Sequence, residues 1–231
     1  KQQDFALDHQ WQYFADTIAT QAAIAVDNAN LFEKLEHSNM ELSLAYDTTL
    51  EGWAKALELR DQETEGHSRR VTELAVKLGR AMNVQGADMI QLRRGAILHD
   101  IGKMGVPDHI LQKPGPLTDE EWEIMRLHPV YAYEWLRSIR YLQPALDIPH
   151  YHHERWDGSG YPEGLRGEQI PKAARLFAIV DVWDALRSDR PYRKAWTHQK
   201  AIEHLKKQSG SHFDPAVVVS FLAIIDSQPE I

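Results

Sequence analysis

Between Lys1 and Glu51 the chain contains neither glycine nor proline. A stretch that long without either breaker permits one long helix or two nearly continuous ones. Ile18, Ala25 and Phe32 recur at sevens, as do Leu35 and Leu42, so an apolar stripe of a/d type gathers near Phe32 and Leu35. Asn28 and Asn39 interrupt it. Two readings stand for this segment: a helix packed on its own domain, or a connector that pairs two copies of the chain in parallel. The expected division is a helical connector over residues 1–50, followed by a second domain over 51–231.

Beyond Gly52 the pattern remains helical. Val71, Leu74, Ala75, Leu78 and Met82 mark one buried face, and Ile90, Ala96 and Ile97 are expected to continue it. Thr118-Asp-Glu-Glu121 has the form of a capping box opening a helix, which Pro129 is expected to bend or end. Residues 154–171 are rich in glycine and proline and read as a long loop. A helix is expected from Pro171 to about Leu186, and Thr197 and Asp214-Pro215 open two more. Strand-like alternation is nearly absent, so the fold class is all-α.

The formal net charge of −8 argues against a nucleic-acid polymer as partner, since that needs a basic face. An anionic small molecule stays possible where local cations overcome the background field. There is no cysteine, which excludes thiolate metal sites and agrees with a cytoplasmic location. No apolar run is long enough for a membrane span. The chain opens on Lys1 in an already helical pattern, so it reads as a fragment with a sensing or targeting segment expected upstream.

Twelve histidines is a high count, and several lie beside carboxylates. Glu63 and His67 are four apart, a spacing that places both on one helical face. His99 and Asp100 are adjacent. His128 follows, then His152-His153-Glu154, then Asp181 in Val180-Asp-Val-Trp-Asp184. Imidazole nitrogens mixed with carboxylate oxygens, and no sulfur, suit iron, manganese or zinc. An aspartate beside a histidine, with two oxygens to offer, can bridge two ions. The set has that meaning only if the fold gathers it. Asp184 reads either as a carboxylate orienting a ligand or as part of a helix face.

His99-Asp100 with Gly102-Lys103 resembles the signature of the HD phosphohydrolase superfamily. The run from His152 to Gly167, including Gly160-Tyr161-Pro162, resembles the HD-GYP subfamily motif throughout, as do Asp181-x-x-Asp184 and Ser188-Asp-Arg-Pro-Tyr-Arg193. The resemblance covers about residues 50–225. It implies an all-helical domain that hydrolyses cyclic di-GMP with two or three bound divalent metals, commonly iron or manganese. Carried over by position, the metal ligands are His67, His99, Asp100, His128, His152, His153 and Asp181, with Glu63 as the extra carboxylate of members that hold a third metal. The stretch from Ala22 to Phe32 resembles the last helix of a GAF sensory domain.

Under that resemblance Asp100 bridges the ions and Lys103 places its ammonium on a non-bridging phosphate oxygen. Lys103 also reads as a lysine satisfying a helix C-terminus. Arg190 and Arg193 are expected to reach phosphate or a guanine edge, and Tyr161 offers a ring for stacking, within a loop shaped by Gly160 and Pro162. A plain turn and a solvated arginine face remain the alternative. The expected function is a cyclic di-GMP phosphodiesterase, working as a homodimer through its N-terminal helix. Against it stand a catalytically weak dinucleotide-sensing module and an HD-type hydrolase of mononucleotides.

Overall fold

The computed structural model describes residues 9–61, 66–189 and 193–227. Two sequence expectations, those on Glu63 and Arg190, therefore lie outside the described residues. Every named element is helical, and no strand forms among the described residues beyond isolated bridges such as Ser209 with Phe213. The all-α expectation holds.

The chain divides into two units, Lys1–Thr48 and Thr49–Ile231. Helix α1 (His9–Asp61) is continuous from the first into the second and passes through Gly52 without a break. Within the first unit, side chains from Trp11 to Leu42 are exposed, including Ile18, Phe32, Leu35 and Leu42 of the heptad stripe.

The second unit is built around α2 (His67–Ala81), α3 (Gly86–Ile97) and α8 (Lys172–Arg187). Val71, Leu74, Ala75 and Leu78 of α2 meet Leu176, Phe177, Ile179, Val180 and Trp183 of α8 in one core. Helices α9 (His198–Lys207) and α10 (Pro215–Ser227) close it with Ala201, Ile202, Leu205, Val217 and Phe221. At roughly 2 kcal/mol for each buried large apolar side chain, this core is the main term holding the site residues of α2 and α8 together. A second core joins Leu50 and Ala54 of α1, Ile97 and Leu98, and Ala132 and Leu136 of α6 (His128–Leu136).

Shorter elements complete the unit: α4 (Asp108–Leu111), α5 (Asp119–Met125) and α7 (Asp147–Tyr151). Thr118 caps α5 with a full capping box, its hydroxyl accepting from Glu121 N while the Glu121 carboxylate accepts from Thr118 N. Pro129 differs from expectation. It lies in the first turn of α6, where its missing N–H costs nothing, and so it starts a helix rather than ending one. Ile90 is also corrected: it is 47% exposed, because α3 turns Leu92 and Ala96 to the core instead.

A 3-10 turn, Ile101–Gly105, lies against α6. A Cβ on Gly102 would lie 1.8 Å from His128 O and 2.7 Å from Ala132 N, so only glycine allows this approach. The contact brings His99-Asp100 up to His128.

Candidate metal centre

The histidines of interest sit at helix ends. His67 is the first residue of α2, and His128 the first of α6. His152 follows the last residue of α7, and His99 and Asp100 follow the end of α3. Such positions offer backbone carbonyls that lack an intrahelical donor, and the rings use them. His99 Nδ1 lies 2.9 Å from Ala96 O, His128 Nδ1 2.9 Å from Met125 O, and His152 Nδ1 2.9 Å from Ile148 O. A carbonyl can only accept, so each Nδ1 carries a proton, and in a neutral ring such as His128 or His152 that leaves Nε2 to present a lone pair inward.

Asp100 is the hub. Its Oδ2 lies 3.0 Å from His99 Nε2, and its Oδ1 lies 3.4 Å from His128 Nε2 and 3.8 Å from His152 Nε2. On the other side His67 Nε2 lies 3.5 Å from Asp181 Oδ1. Two groups of ligand atoms emerge, His67-His99-Asp100 and Asp100-His128-His152-His153, each with its atoms within 4.8 Å of one another. Asp100 belongs to both. The fold thus gathers the seven motif positions that it describes.

The donor set fits divalent metal ions. His128 Nε2 and His152 Nε2 face each other at 3.5 Å, and with both protons on Nδ1 two lone pairs oppose. A cation between them turns that repulsion into coordination. Burial pushes His128, His152 and His153 below the usual histidine range, so all three are neutral, as ligands must be. Burial opposes ionisation of Asp100 as well, but His99 and Lys103 outweigh it and hold the carboxyl well below its ordinary value.

Further carboxylates and cations hold this shell. Asp184 Oδ2 accepts from His67 Nδ1 at 2.7 Å, while Arg70 donates to both Asp184 oxygens at 2.7 and 2.9 Å. Burial resists that charge too, yet His67 and Arg70 bring the Asp184 pKa down to about 2. Of the two readings of Asp184, the geometry matches the one that orients a ligand. Lys103 Nζ lies 2.7 Å from Asp100 Oδ2 and 3.2 Å from Asp61 Oδ2. Asp61 was not among the expected site residues; nothing in the acidic segment around it distinguishes it by sequence.

The glycine-rich loop lies over the cluster. Tyr161 stacks on His153 with centroids 4.7 Å apart and planes 23° apart, and the Tyr161-Pro162 bond is cis. Glu154, 2% exposed, holds the loop by accepting from Glu163 N at 2.7 Å and from Gly164 N and Leu165 N at 3.0 Å. A Cβ on Gly160 would meet Arg155 N at 2.3 Å and Glu154 Cα at 2.5 Å, so the loop closes this tightly only with glycine there. Sequence reasoning quoted Glu154 within its motif and gave it no role.

One expected residue sits differently. The Arg193 guanidinium donates to Ala185 O and to Leu186 O near the C-terminal end of α8. That end has unpaired carbonyls of its own, and they take the arginine in this structure. His67 and Glu63 were expected on one helical face, but α2 begins at His67, with Gly66 before it in left-handed conformation (φ 73°). The helix carrying His67 does not run back through residue 66.

Comparison with known proteins agrees with this geometry. The family model for the HD domain matches residues 52–217. The cyclic di-GMP phosphodiesterase response regulator RpfG of Xanthomonas campestris pv. campestris is 40% identical over 195 residues, covering 84% of this chain and 52% of the relative. The 3′3′-cGAMP-specific phosphodiesterase 2 of Vibrio cholerae is 37% identical over 216 residues, covering 90% of this chain and 40% of the relative. The chain thus spans about half the length, or less, of these curated relatives. A cyclic GMP-AMP specific phosphodiesterase of V. cholerae, V-cGAP3, superposes with a TM-score of 0.60 at 17% identity, over 78% of this chain and 49% of that one, and shares the fold. The relatives support the HD-GYP resemblance. The chain belongs to the HD domain family.

Proposed function

We propose that residues 51–231 are the catalytic domain of a metal-dependent phosphodiesterase that hydrolyses cyclic di-GMP to linear pGpG, with or without a second cleavage to GMP. The observation that carries this reading is the pair of ligand clusters sharing Asp100. Relatives named cyclic di-GMP phosphodiesterases, 40% identical over most of the chain, support the substrate.

In this reading His67, His99, Asp100, His128, His152, His153 and Asp181 hold two divalent ions, and Glu63 supplies the oxygen ligand of a third. Nitrogen and oxygen donors without sulfur fit iron or manganese. The bound ions supply Lewis acidity toward the phosphate and an activated water. The remaining work falls to side chains. Asp100 stays ionised under His99 and Lys103, so it can serve both ion positions at once. Lys103, steadied by Asp61, keeps an ammonium beside Asp100, where charge builds on the phosphate. Asp184 fixes the His67 tautomer, leaving Nε2 for coordination. Gly160, Tyr161 and Pro162 shape the wall over His153, and Arg190 and Arg193 complete the substrate contacts; for Arg193 that requires leaving the α8 carbonyls.

Residues 1–50 are read as a connector from a GAF-like sensory domain. Their exposed heptad stripe is the surface that would pair two copies in a parallel homodimer. Such a domain works in the cytoplasm, where the messenger is made and consumed.

The test is product analysis on protein loaded anaerobically with iron or with manganese, given cyclic di-GMP, a mononucleotide and a model diester. Linear dinucleotide from cyclic di-GMP is expected, with loss on chelation. Tight binding of the dinucleotide without turnover by metal-loaded protein would instead make this a sensing module, and preference for the mononucleotide would replace the substrate.

A further inference from the structure

Arg126 follows the last residue of α5 and lies two positions before His128. It is exposed, and its guanidinium carbon sits 5.8 Å from the ring centroid of Tyr161 and 5.9 Å from that of Trp122. Tyr161 in turn stacks on His153. Arg126 therefore stands at the mouth of the metal cluster, steered by two aromatic faces. Trp122 is 43% exposed, so its ring flanks the approach rather than a core.

Among the described residues, other cations near the cleft are engaged. Lys103 lies between Asp100 and Asp61, Arg70 grips Asp184, Arg60 grips Asp108, and Arg193 serves the carbonyls of α8. Among the described residues, Arg126 has no carboxylate partner. In a chain of net charge −8, with several acidic groups in this very cleft, an arginine kept clear of all of them is positioned for an anion from outside.

We infer that Arg126 binds the non-scissile phosphate of the cyclic dinucleotide, held in place by Trp122 and Tyr161; this rests on the function proposed above. A cyclic dinucleotide carries two phosphodiesters. The one being cleaved sits at the metal ligands and Lys103. The other keeps its full charge, and a guanidinium fork suits it, because two N–H donors meet two phosphate oxygens. Arg126 is thereby a determinant of specificity for dinucleotides over simple diesters, and it takes no part in bond breaking.

The experiment compares wild type, Arg126→Met and Arg126→Lys as full-length, metal-loaded protein. Substrates are cyclic di-GMP and bis(p-nitrophenyl) phosphate, which has a single phosphate. For Arg126→Met the KM for cyclic di-GMP should rise about tenfold with kcat changed less than about threefold, and kinetics on the single-phosphate ester should stay at wild-type level. Arg126→Lys should recover part of the KM. An unchanged KM for cyclic di-GMP overturns the assignment, and so does an equal loss on both substrates, which would make Arg126 a support of the loop. If wild type neither binds nor turns over cyclic di-GMP, the substrate reading fails and the assignment falls with it; the first two results overturn the assignment alone.

Discussion

Replacing Glu154 with alanine removes one buried carboxylate and strands three backbone donors. Each hydrogen bond to an ionised acceptor contributes about 1.5–3 kcal/mol in a buried setting. Glu163 and Gly164 are exposed in the fold, so water can take over part of what their amides lose, while Leu165 is half-buried and has less access to it. Counting the Leu165 bond in full and the other two at reduced value gives a destabilisation of about 3 kcal/mol. For a domain of this size that corresponds to a fall in Tm of about 6–12 °C. Glu154→Gln keeps one acceptor oxygen but sets an amide NH2 against the remaining donors, so about half the loss should remain. Function should respond through the loop: with its anchor gone, Tyr161 no longer stays on His153, and KM rises while metal content holds. Calorimetry on both variants, with elemental analysis, measures this. A Glu154→Ala variant melting within about 2 °C of wild type would refute the reasoning, because the three amides would then lose nothing by being left to solvent.

Acid should weaken the fold through His212, which stacks on Phe213 at 4.2 Å and whose pKa burial pushes down to about 4, with Arg155 and His204 adding to it and Asp157 opposing. The unfolded chain takes up this proton near pH 6.5 and the folded one only near 4, so stability is full above 6.5 and falls as pH drops toward 4, by up to about 3 kcal/mol. Denaturant midpoints of His212→Gln should show a flatter slope over that window; an unchanged slope removes His212 from the account. Lys103→Ala should lower turnover with metal content unchanged, since its ammonium acts on phosphate, and loss of metal in that variant would move the lysine to a structural role, holding Asp100 in place. Deleting residues 1–45 should leave a monomer by light scattering that still hydrolyses substrate; a surviving dimer would place the interface on the catalytic domain.

What the sequence showed, it showed where the signal is local. The α2 face announced itself because polar and apolar residues alternate with helical period from Val71 to Leu78, and one side of that helix stays wet. Helix α8 gave a plainer cue, its start at Pro171, because it is buried on most sides and its run from Leu176 to Val180 has no polar stripe to read. Ile90 was misplaced because a short helix with apolar residues on more than one side leaves its phase undetermined. The metal-binding motifs were legible as words, with His99-Asp100 and His152-His153 adjacent in the chain. Which partner serves which ligand was not: Asp184 was named as a candidate without its histidine, and Asp61 was not named. Asp184 lies 117 positions from His67 and Asp61 lies 42 from Lys103, and only the packing of α8 on α2 and of the 3-10 turn near the end of α1 brings them together. The arginines show the same limit. Composition says a cation is present, but whether it faces a carboxylate, a carbonyl or open cleft is decided by the fold: Arg193, expected at the substrate, donates to carbonyls of α8 in this structure, and Arg126, which carried no expectation, stands beside Tyr161.

The central claim is that Asp100 serves two ions at once in a phosphodiesterase site. The most direct measurement sets wild type beside Asp100→Ala, both loaded anaerobically with manganese or iron, and follows cyclic di-GMP to linear product alongside metal content per protomer. Wild type should form linear product and hold at least two ions, while Asp100→Ala should lose metal and fall about 10²-fold or more in turnover. Retention by Asp100→Ala of more than about a tenth of the wild-type rate, with full metal content, would contradict the claim and leave the two clusters to work without a shared carboxylate.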